Sequence, residues 1–278
     1  MRIRRTHIQR AALYLVAAIV ISGISLPLFW LLVESFKPET ELLLVPPSVF
    51  PIAPTFDNFA RVVNETTFLI WFRNSLIVAS CSTFSAVFLS ALCGYALARY
   101  SNRAFSAISS GILFTYMVPP IMLIIPMYLI MARFGLINNL GSIIIAYVAF
   151  HTVFGTYLMK QFFETIPTEV EEASIIDGAG TLVRFFEIAV PLALPGIIAV
   201  GLFSFINSWN EYLFAATFVD FDAFRTLPPG LFMFRGAKVI LWDLLLTAST
   251  MAIIPQIVVF MFIEKYFLKG FGAMALKG

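Results

Sequence analysis

The chain has 278 residues, of which 60% are hydrophobic and only 12% charged. Soluble globular chains are nearer half apolar and a quarter charged, so this composition excludes a water-soluble domain and implies an integral membrane protein. A net charge of +2, with basic residues clustered only at the amino terminus, excludes a nucleic-acid partner.

Six runs approach the roughly 20 apolar residues that cross a bilayer: about 11–33, 74–97, 107–131, 141–158, 191–214 and 241–263. The expected fold is therefore all-α, with six transmembrane helices in the lipid bilayer. Arg2, Arg4, Arg5 and Arg10 precede the first run as in a signal peptide. Its apolar stretch is too long for a signal core and no small-x-small site closes it, so it reads as an uncleaved span. Cys81 and Cys93 share the second run. Twelve residues of helix separate them by about 18 Å, beyond the roughly 7 Å Cα reach of a disulfide, so they read as packing residues. Pro119, Pro120 and Pro126 fall in the third run, Pro195 in the fifth and Pro255 in the sixth. Each removes a backbone donor and bends its helix, either as static packing or as the lining of a pathway that opens and closes.

Six spans place both termini on one side. The tails and loops of that side hold eleven of the 18 basic residues, most clearly at the chain ends, which predicts cytoplasmic termini. The acidic loop 159–190 is then cytoplasmic as well, although it is not itself positive. Within it, Thr168 followed three residues later by Glu171 has the form of a capping box. Glu169, Glu171 and Glu172 suit the positive end of a helix dipole, and Val170, Ala173 and Ile176 share one helical face. Gly178 and Gly180 end this helix, 181–188 forms a second short amphipathic helix, and Pro191 opens the fifth span. The product is a surface helix with a small-residue, acidic outer edge. It can accept another protein's groove and present a carboxylate to an arginine, or it is a solvated hairpin between two spans.

Asn207, Ser208, Asn210 and Glu211 are polar positions late in the fifth run. Ionisable residues in a span mark function by default; contact with a solute or gate, hydrogen bonding between subunits and interfacial solvation are the three readings. His151, alone in the fourth run, reads as a packed, hydrogen-bonded histidine. No Ser-His, paired-Asp or His-Glu-x-x-His set occurs in the spans, which argues against an intramembrane enzyme, and no metal-ligand cluster is evident. Residues 230–238 carry glycines, but Ala237 separates Gly236 from Lys238 and no Ser or Thr follows, so ATP is not bound here. The loop 215–240 holds Pro228-Pro229-Gly230, which suits a stiff turn.

Glu172-Ala173-Ser174, then Gly178, then Ile188-Ala189-Val190-Pro191, resembles the coupling loop of ABC-importer permeases: Glu-Ala-Ala, three residues, Gly, nine residues, Ile, one residue, Leu-Pro. Ser174 replaces the second Ala and Val190 the Leu; the spacing is intact. Ser35-Phe36-Lys37-Pro38, Asn74-Ser75-Leu76, Gly94-Tyr95-Ala96-Leu97-Ala98-Arg99, Trp209-Asn210-Glu211-Tyr212 and the ending 270–278 are similar to the same family, in particular to carbohydrate-uptake permeases related to the smaller maltose-permease subunit. The resemblance implies the type I importer fold in a bacterial inner membrane. It divides the chain into a tail, first span and outer loop (1–72), a permease domain (73–264) with its coupling loop at about 159–190, and a cytoplasmic tail (265–278). It implies a second homologous permease, a dimer of ABC ATPase subunits that hold the ATP and Mg, and an extracytoplasmic solute-binding protein, with no cofactor, metal or catalytic residue in this chain. Glu171, Glu172, Ala173, Ser174, Asp177 and Gly178 would engage the ATPase; Asn207, Asn210 and Glu211 would border the pathway; the loop 215–240 would reach into the binding protein. The solute would be a sugar or sugar-like molecule. Glycerol phosphate or another small polar solute is the alternative; glycerol phosphate calls for a basic group facing the pore, which the spans lack but a partner permease can supply. Amino acids and peptides are more distant rivals, and a self-sufficient channel would have no need of the acidic loop.

Overall fold

The computed structural model describes residues 2–275 except 101, 237 and 238. Ala237, Lys238 and the last part of the expected tail, 276–278 with Lys277, lie outside the described residues. The rest forms helices and turns, with one isolated antiparallel bridge between Arg235 and Ile240. The helices are α1 (Arg2–Glu34), α2 (Glu39–Leu42), α3 (Asp57–Glu65), α4 (Phe68–Arg99), α5 (Arg103–Tyr116), α6 (Ile124–Arg133), α7 (Leu140–Glu164) and α8 (Thr168–Ile176). They continue with α9 (Thr181–Leu192), α10 (Leu194–Asn210), α11 (Leu213–Phe218), α12 (Leu227–Phe232) and α13 (Trp242–Ala275).

Among the described residues, four helical stretches are long and apolar enough to cross a membrane: Ala12–Glu34, Phe68–Arg99, Leu140–Glu164 and Trp242–Glu264. A fifth is the pair α9 and α10, bent by 77°. Pro191 and Pro195 flank the bend, and each lacks the N–H that would bond four residues back. The body of the fifth span thus starts at Leu194, not at Pro191. The third expected span, 107–131, is not one helix. Pro119-Pro120 ends the run of α5, and a 3₁₀ turn over Pro120–Leu123 leads into α6. The two pieces have 14 and 10 residues, about 21 and 15 Å, each shorter than the roughly 30 Å hydrocarbon core. Among the described residues, the six expected spans thus correspond to four unbroken spans, one bent pair and one divided segment. Pro255 lies inside α13. Cys81 and Cys93 are free thiols on α4.

Two compact units are distinguished. The first contains residues up to Phe68 together with Leu231–Ile254. Along α1, Leu15, Ile19 and Ile24 are 64–70% exposed, the surface that lipid covers. The end of α1 is held by polar groups. Lys37 is 1% exposed and its Nζ donates to Glu34 Oε1 at 2.7 Å and to the Ser48 carbonyl at 2.6 Å. Asn58 donates to the Ser35 and Lys37 carbonyls and Thr247 to the Ser35 carbonyl, so Ser35-Phe36-Lys37-Pro38 is the knot of this unit. Glu41 accepts from Ser48 Oγ at 2.6 Å and from the Ile52 N–H at 2.9 Å. The Ser48 hydroxyl above all, with the Ile52 and Ala53 N–H groups, holds its carboxyl below the ordinary value. Arg61 pairs with the buried Asp243 at the start of α13.

The second unit contains Leu69–Gly230 and residues from Pro255 onward. Its described residues include an apolar cluster centred on Ile143, Tyr147, Phe214 and Phe218 and another on Tyr95, Met159, Phe163 and Phe185. Both use α7, one toward each end. Small residues let the spans touch. A Cβ on Gly94 would sit 2.6 Å from Met159 Cβ and 2.9 Å from the Lys160 nitrogen, and one on Gly196 would sit 2.5 Å from the Phe162 ring.

Lys37→Ala is expected to destabilise the protein by about 3–5 kcal/mol, because it leaves Glu34 buried without a cation. Glu34→Leu combined with Lys37→Met should recover most of the loss. Thermal unfolding in detergent reads both; an unaffected Lys37→Ala would show that water, not Lys37, satisfies Glu34.

Candidate functional site

The acidic loop turns on Glu171. Its carboxylate is 4% exposed and accepts from Tyr95 Oη at 2.6 Å on one oxygen and from Arg99 at 2.7 Å on the other. Arg99 also donates to the Ile166 carbonyl at 3.1 Å, just before α8. Tyr95 packs between Phe163 and Phe185, with ring centroids 5.4 and 5.1 Å away. The predicted capping box is therefore incorrect. Pro167, not Thr168, occupies the cap and offers no side-chain bond; Thr168 is already helical, and the Glu171 carboxylate is taken by α4.

Burying Glu171 fixes which way α8 faces. Ser174, three residues on, is buried too and donates to the Glu171 carbonyl at 2.6 Å. Glu172, Ala173, Asp177 and Gly178 are exposed. So are Val170, Ile175 and Ile176, the last at 88%. The face that Val170, Ala173 and Ile176 share thus points away from the chain. Of the six residues predicted to engage a partner, four stand on the open face, and Glu171 and Ser174 orient the helix from beneath.

Gly178 ends α8 with φ +85°. Its N–H donates to the Ile175 carbonyl at 3.0 Å and the Ala179 N–H to the Ser174 carbonyl at 2.9 Å, the paired bonds of a Schellman cap. No atom lies within 4 Å of its would-be Cβ, so this chain needs the glycine for its backbone angle. The expected second amphipathic helix runs through a π-helical turn, Arg184–Ala189, inside α9.

The second candidate site lies between α5, α7 and α10. A cavity of about 480 Å³ is lined by Phe150, Phe154, Phe203 and Phe214 with Tyr147, His151, Asn207 and Glu211 among its polar walls. Glu211 accepts from Tyr147 Oη at 2.5 Å and from the Phe214 and Ala215 N–H groups at 3.0 and 3.2 Å, so it closes the start of α11. Asn207 donates to the Phe203 carbonyl. Asn210 does not line the cavity; it donates to the Ile206 carbonyl and accepts from Gln256 at 3.0 Å. His151 is buried with Nδ1 3.4 Å from Ser208 Oγ, the packed arrangement expected. Ser208 in turn meets Ser82 of α4 at 2.8 Å. No group of three or more potential metal ligands occurs among the described residues.

Residues 86–272 match the family described as binding-protein-dependent transport system inner membrane component. The chain belongs to this family. It is 31% identical over 265 residues to the sulfoquinovosyl glycerol transport system permease protein of Agrobacterium fabrum, covering 95% of this chain and 93% of that one. It is 30% identical over 278 residues to the trehalose/maltose transport system permease protein of Thermococcus litoralis, covering 99% of each. The fold is that of a bacterial ABC transporter that imports the acidic polysaccharide alginate, with a TM-score of 0.80 at 23% identity over 95% of this chain and 98% of that chain. A second structure, of the alginate transporter in complex with its alginate pentasaccharide-bound periplasmic protein, matches with a TM-score of 0.70 at 12% identity over 94% of each chain. The chain is thus a membrane permease component of an ABC importer and not the catalyst of ATP hydrolysis.

The sequence alone did not point to Tyr95 and Arg99 as the partners of Glu171, nor to Tyr147 as the partner of Glu211. The available signal was the pair Tyr95 and Arg99 one turn apart at the end of a span, on the same predicted side as the acidic loop.

Gly178→Val is expected to loosen the end of α8 by about 1–2 kcal/mol, the strain of a left-handed branched residue, whereas Gly178→Asn should be tolerated. Deuterium exchange of the 168–180 amides, about tenfold faster in the valine variant, checks this. Equal protection in both would show that the positive φ does not hold the loop.

Proposed function

We propose that this permease forms half of the membrane pathway of an ATP-driven importer, beside a second, homologous permease, and that α8 is its docking helix for a dimer of ABC ATPase subunits. The observation that carries this reading is that α8 buries its charged Glu171 and exposes Val170, Ala173, Ile175 and Ile176 beside Glu172 and Asp177. A helix of a folded chain gains nothing by presenting that face to water; a partner's cleft covers the apolar side chains, and an arginine there can take the carboxylates. The ATP and Mg belong to the partner, and this chain needs no cofactor.

In this reading both termini and α8 are cytoplasmic in a bacterial inner membrane, with 73–264 as the permease domain and the segments on either side as 1–72 and 265–278. An extracytoplasmic binding protein delivers the solute to the opposite face. The loop 215–240 would meet it through Asp220–Phe224, which is exposed, rather than through Pro228-Pro229-Gly230. Those residues lie in the short helix α12, where Leu227, Pro229 and Gly230 are buried, instead of forming the expected stiff turn.

The solute is a sugar or sugar-like molecule. Relatives named for sulfoquinovosyl glycerol, trehalose/maltose and diacetylchitobiose support this. So does the cavity: aromatic faces pack against the C–H faces of sugar rings, while Asn207 and Glu211 offer hydrogen bonds to hydroxyls. Asn210, on the adjoining turn, is placed to serve a neighbouring part of the pathway. No Lys or Arg is among the described residues lining the cavity, which disfavours the alternative, glycerol phosphate.

Glu172→Arg is expected to weaken co-purification of the ATPase subunits at least about tenfold, a change of about 1.4 kcal/mol, and to abolish uptake while insertion is normal. Normal docking and uptake would sink the assignment of α8. A reporter active only outside the cytoplasm should work when fused near Thr55 or Phe221 and fail near Thr168 or Lys277; activity at Thr168 would overturn the orientation.

A further inference from the structure

The helix that flanks neither side of α8 in sequence is the one that holds it. α4 runs for 32 residues without a proline. At one end, Tyr95 and Arg99 grip Glu171 and the Ile166 carbonyl. At the other, Asn74 Nδ2 donates to the Ala223 carbonyl at 3.0 Å and the Arg225 carbonyl at 2.9 Å, and Ser75 Oγ accepts from the Leu227 N–H at 2.7 Å. Asn74 and Ser75 are 0% and 3% exposed. The segment they hold, residues 223–227, overlaps the end of the exposed tip Asp220–Phe224. Asn74 and Arg99 are separated by about 37 Å along the helix.

The helices that adjoin α8 in sequence transmit less directly. The path through α9 and α10 crosses a π-helical turn and the 77° bend, both places where a helix yields. The path into α7 passes through the non-helical turn at Ile166 and Pro167, whose carbonyl is itself held by Arg99. Energetic coupling between distant sites is carried by packed side chains, hydrogen-bond networks and rigid secondary elements that shift between discrete arrangements. We propose that α4 is the transmission rod of this permease, carrying the state of the loop at Asp220–Leu227 to the ATPase-docking helix through two clamps, Asn74 with Ser75 and Tyr95 with Arg99. This rests on the docking reading of α8. Residues of these clamps are positioning residues: they touch neither solute nor nucleotide.

The test uses the whole importer, with its own partner permease, ATPase subunits and binding protein, reconstituted in lipid discs. ATP hydrolysis is read with and without solute-loaded binding protein for Asn74→Ala, Arg99→Gln, the double variant and Glu172→Arg. Each of the first two should lower the stimulation by loaded binding protein roughly tenfold, within the usual range of allosteric coupling. The double variant should lose no more than the worse single one, because either break interrupts the same rod. Clamps that merely stabilise their own surroundings give losses that multiply toward a hundredfold, since distant independent defects add in free energy; that result, or full stimulation in either single variant, overturns the proposal. If Arg99→Gln does not assemble, Tyr95→Phe, which removes one hydroxyl from the same clamp, takes its place with the same criteria. Glu172→Arg separates the two readings. Loss of ATPase subunits there, with full stimulation in Arg99→Gln, removes the rod and leaves the docking helix; retained docking and stimulation there remove both.

Discussion

A carboxylate withdrawn from water must be matched by charge and hydrogen bonds, and Glu171 is matched on both oxygens by Tyr95 and Arg99. Removing one partner of such a group is far more costly than the pair is stabilising, so the contact acts as a constraint on geometry more than as a source of stability. Successive residues of a helix are turned by about 100°. Once Glu171 points inward, Ser174 follows it and Glu172, Ala173 and Ile176 have to point out. One buried ion pair therefore orients the whole of α8, and does so against the apolar pattern that would turn Val170, Ala173 and Ile176 toward the chain.

The clamp needs α4 to arrive close to α7 and α8, and backbone proximity supplies that. At Gly94 the spans meet with no room for a Cβ against Met159 and Lys160, and at Gly196 with none against Phe162. Lipid tails are as apolar as leucine, so spans gain little from burying leucine against leucine; small residues and interhelical hydrogen bonds hold them instead. The Ser82–Ser208 contact at 2.8 Å and the Tyr147–Glu211 contact at 2.5 Å are of that kind. The motif Gly94-Tyr95-Ala96-Leu97-Ala98-Arg99 reads as one device: the glycine sets the approach, and the tyrosine and arginine use it.

What could be read from the sequence follows the range of the interaction involved. Span length and apolar content are local, and they located four spans and the bent fifth. The Thr168–Glu171 spacing is local too, but it has two solutions: a cap within the loop, or a carboxylate freed for a partner elsewhere. Arg99 lies 72 residues from Glu171, and no spacing rule reports that. The divided third segment was misread because apolar content does not reveal whether Pro119-Pro120 bends a helix or ends it. Gly178 was placed correctly as a helix end, for the conformational freedom that its positive φ uses. Asn207 and Glu211 were found as polar residues in a span; that they share a cavity while Asn210 does not follows from helical phase and from the carboxylate turning back to cap α11.

The break at Pro119-Pro120 has a place in this arrangement. Backbone that leaves the helix inside a membrane exposes carbonyls that lipid cannot satisfy, so it is tolerated where protein or a water-filled cavity covers it. Thr115, Val118, Pro120 and Leu123, from the end of α5 through the 3₁₀ turn, all line the cavity with Glu211 and Asn207. The Pro119 carbonyl is taken by the Met122 N–H at 3.0 Å, and the Phe114 and Thr115 carbonyls by the Met117 and Val118 N–H groups at 3.2 Å. On this view the prolines and the cavity require one another: the break would be untenable against lipid, and an unbroken helix would present only side chains to the space between α7 and α10. Where the chain departs from regular helix, the backbone itself supplies hydrogen-bonding groups that the apolar spans lack.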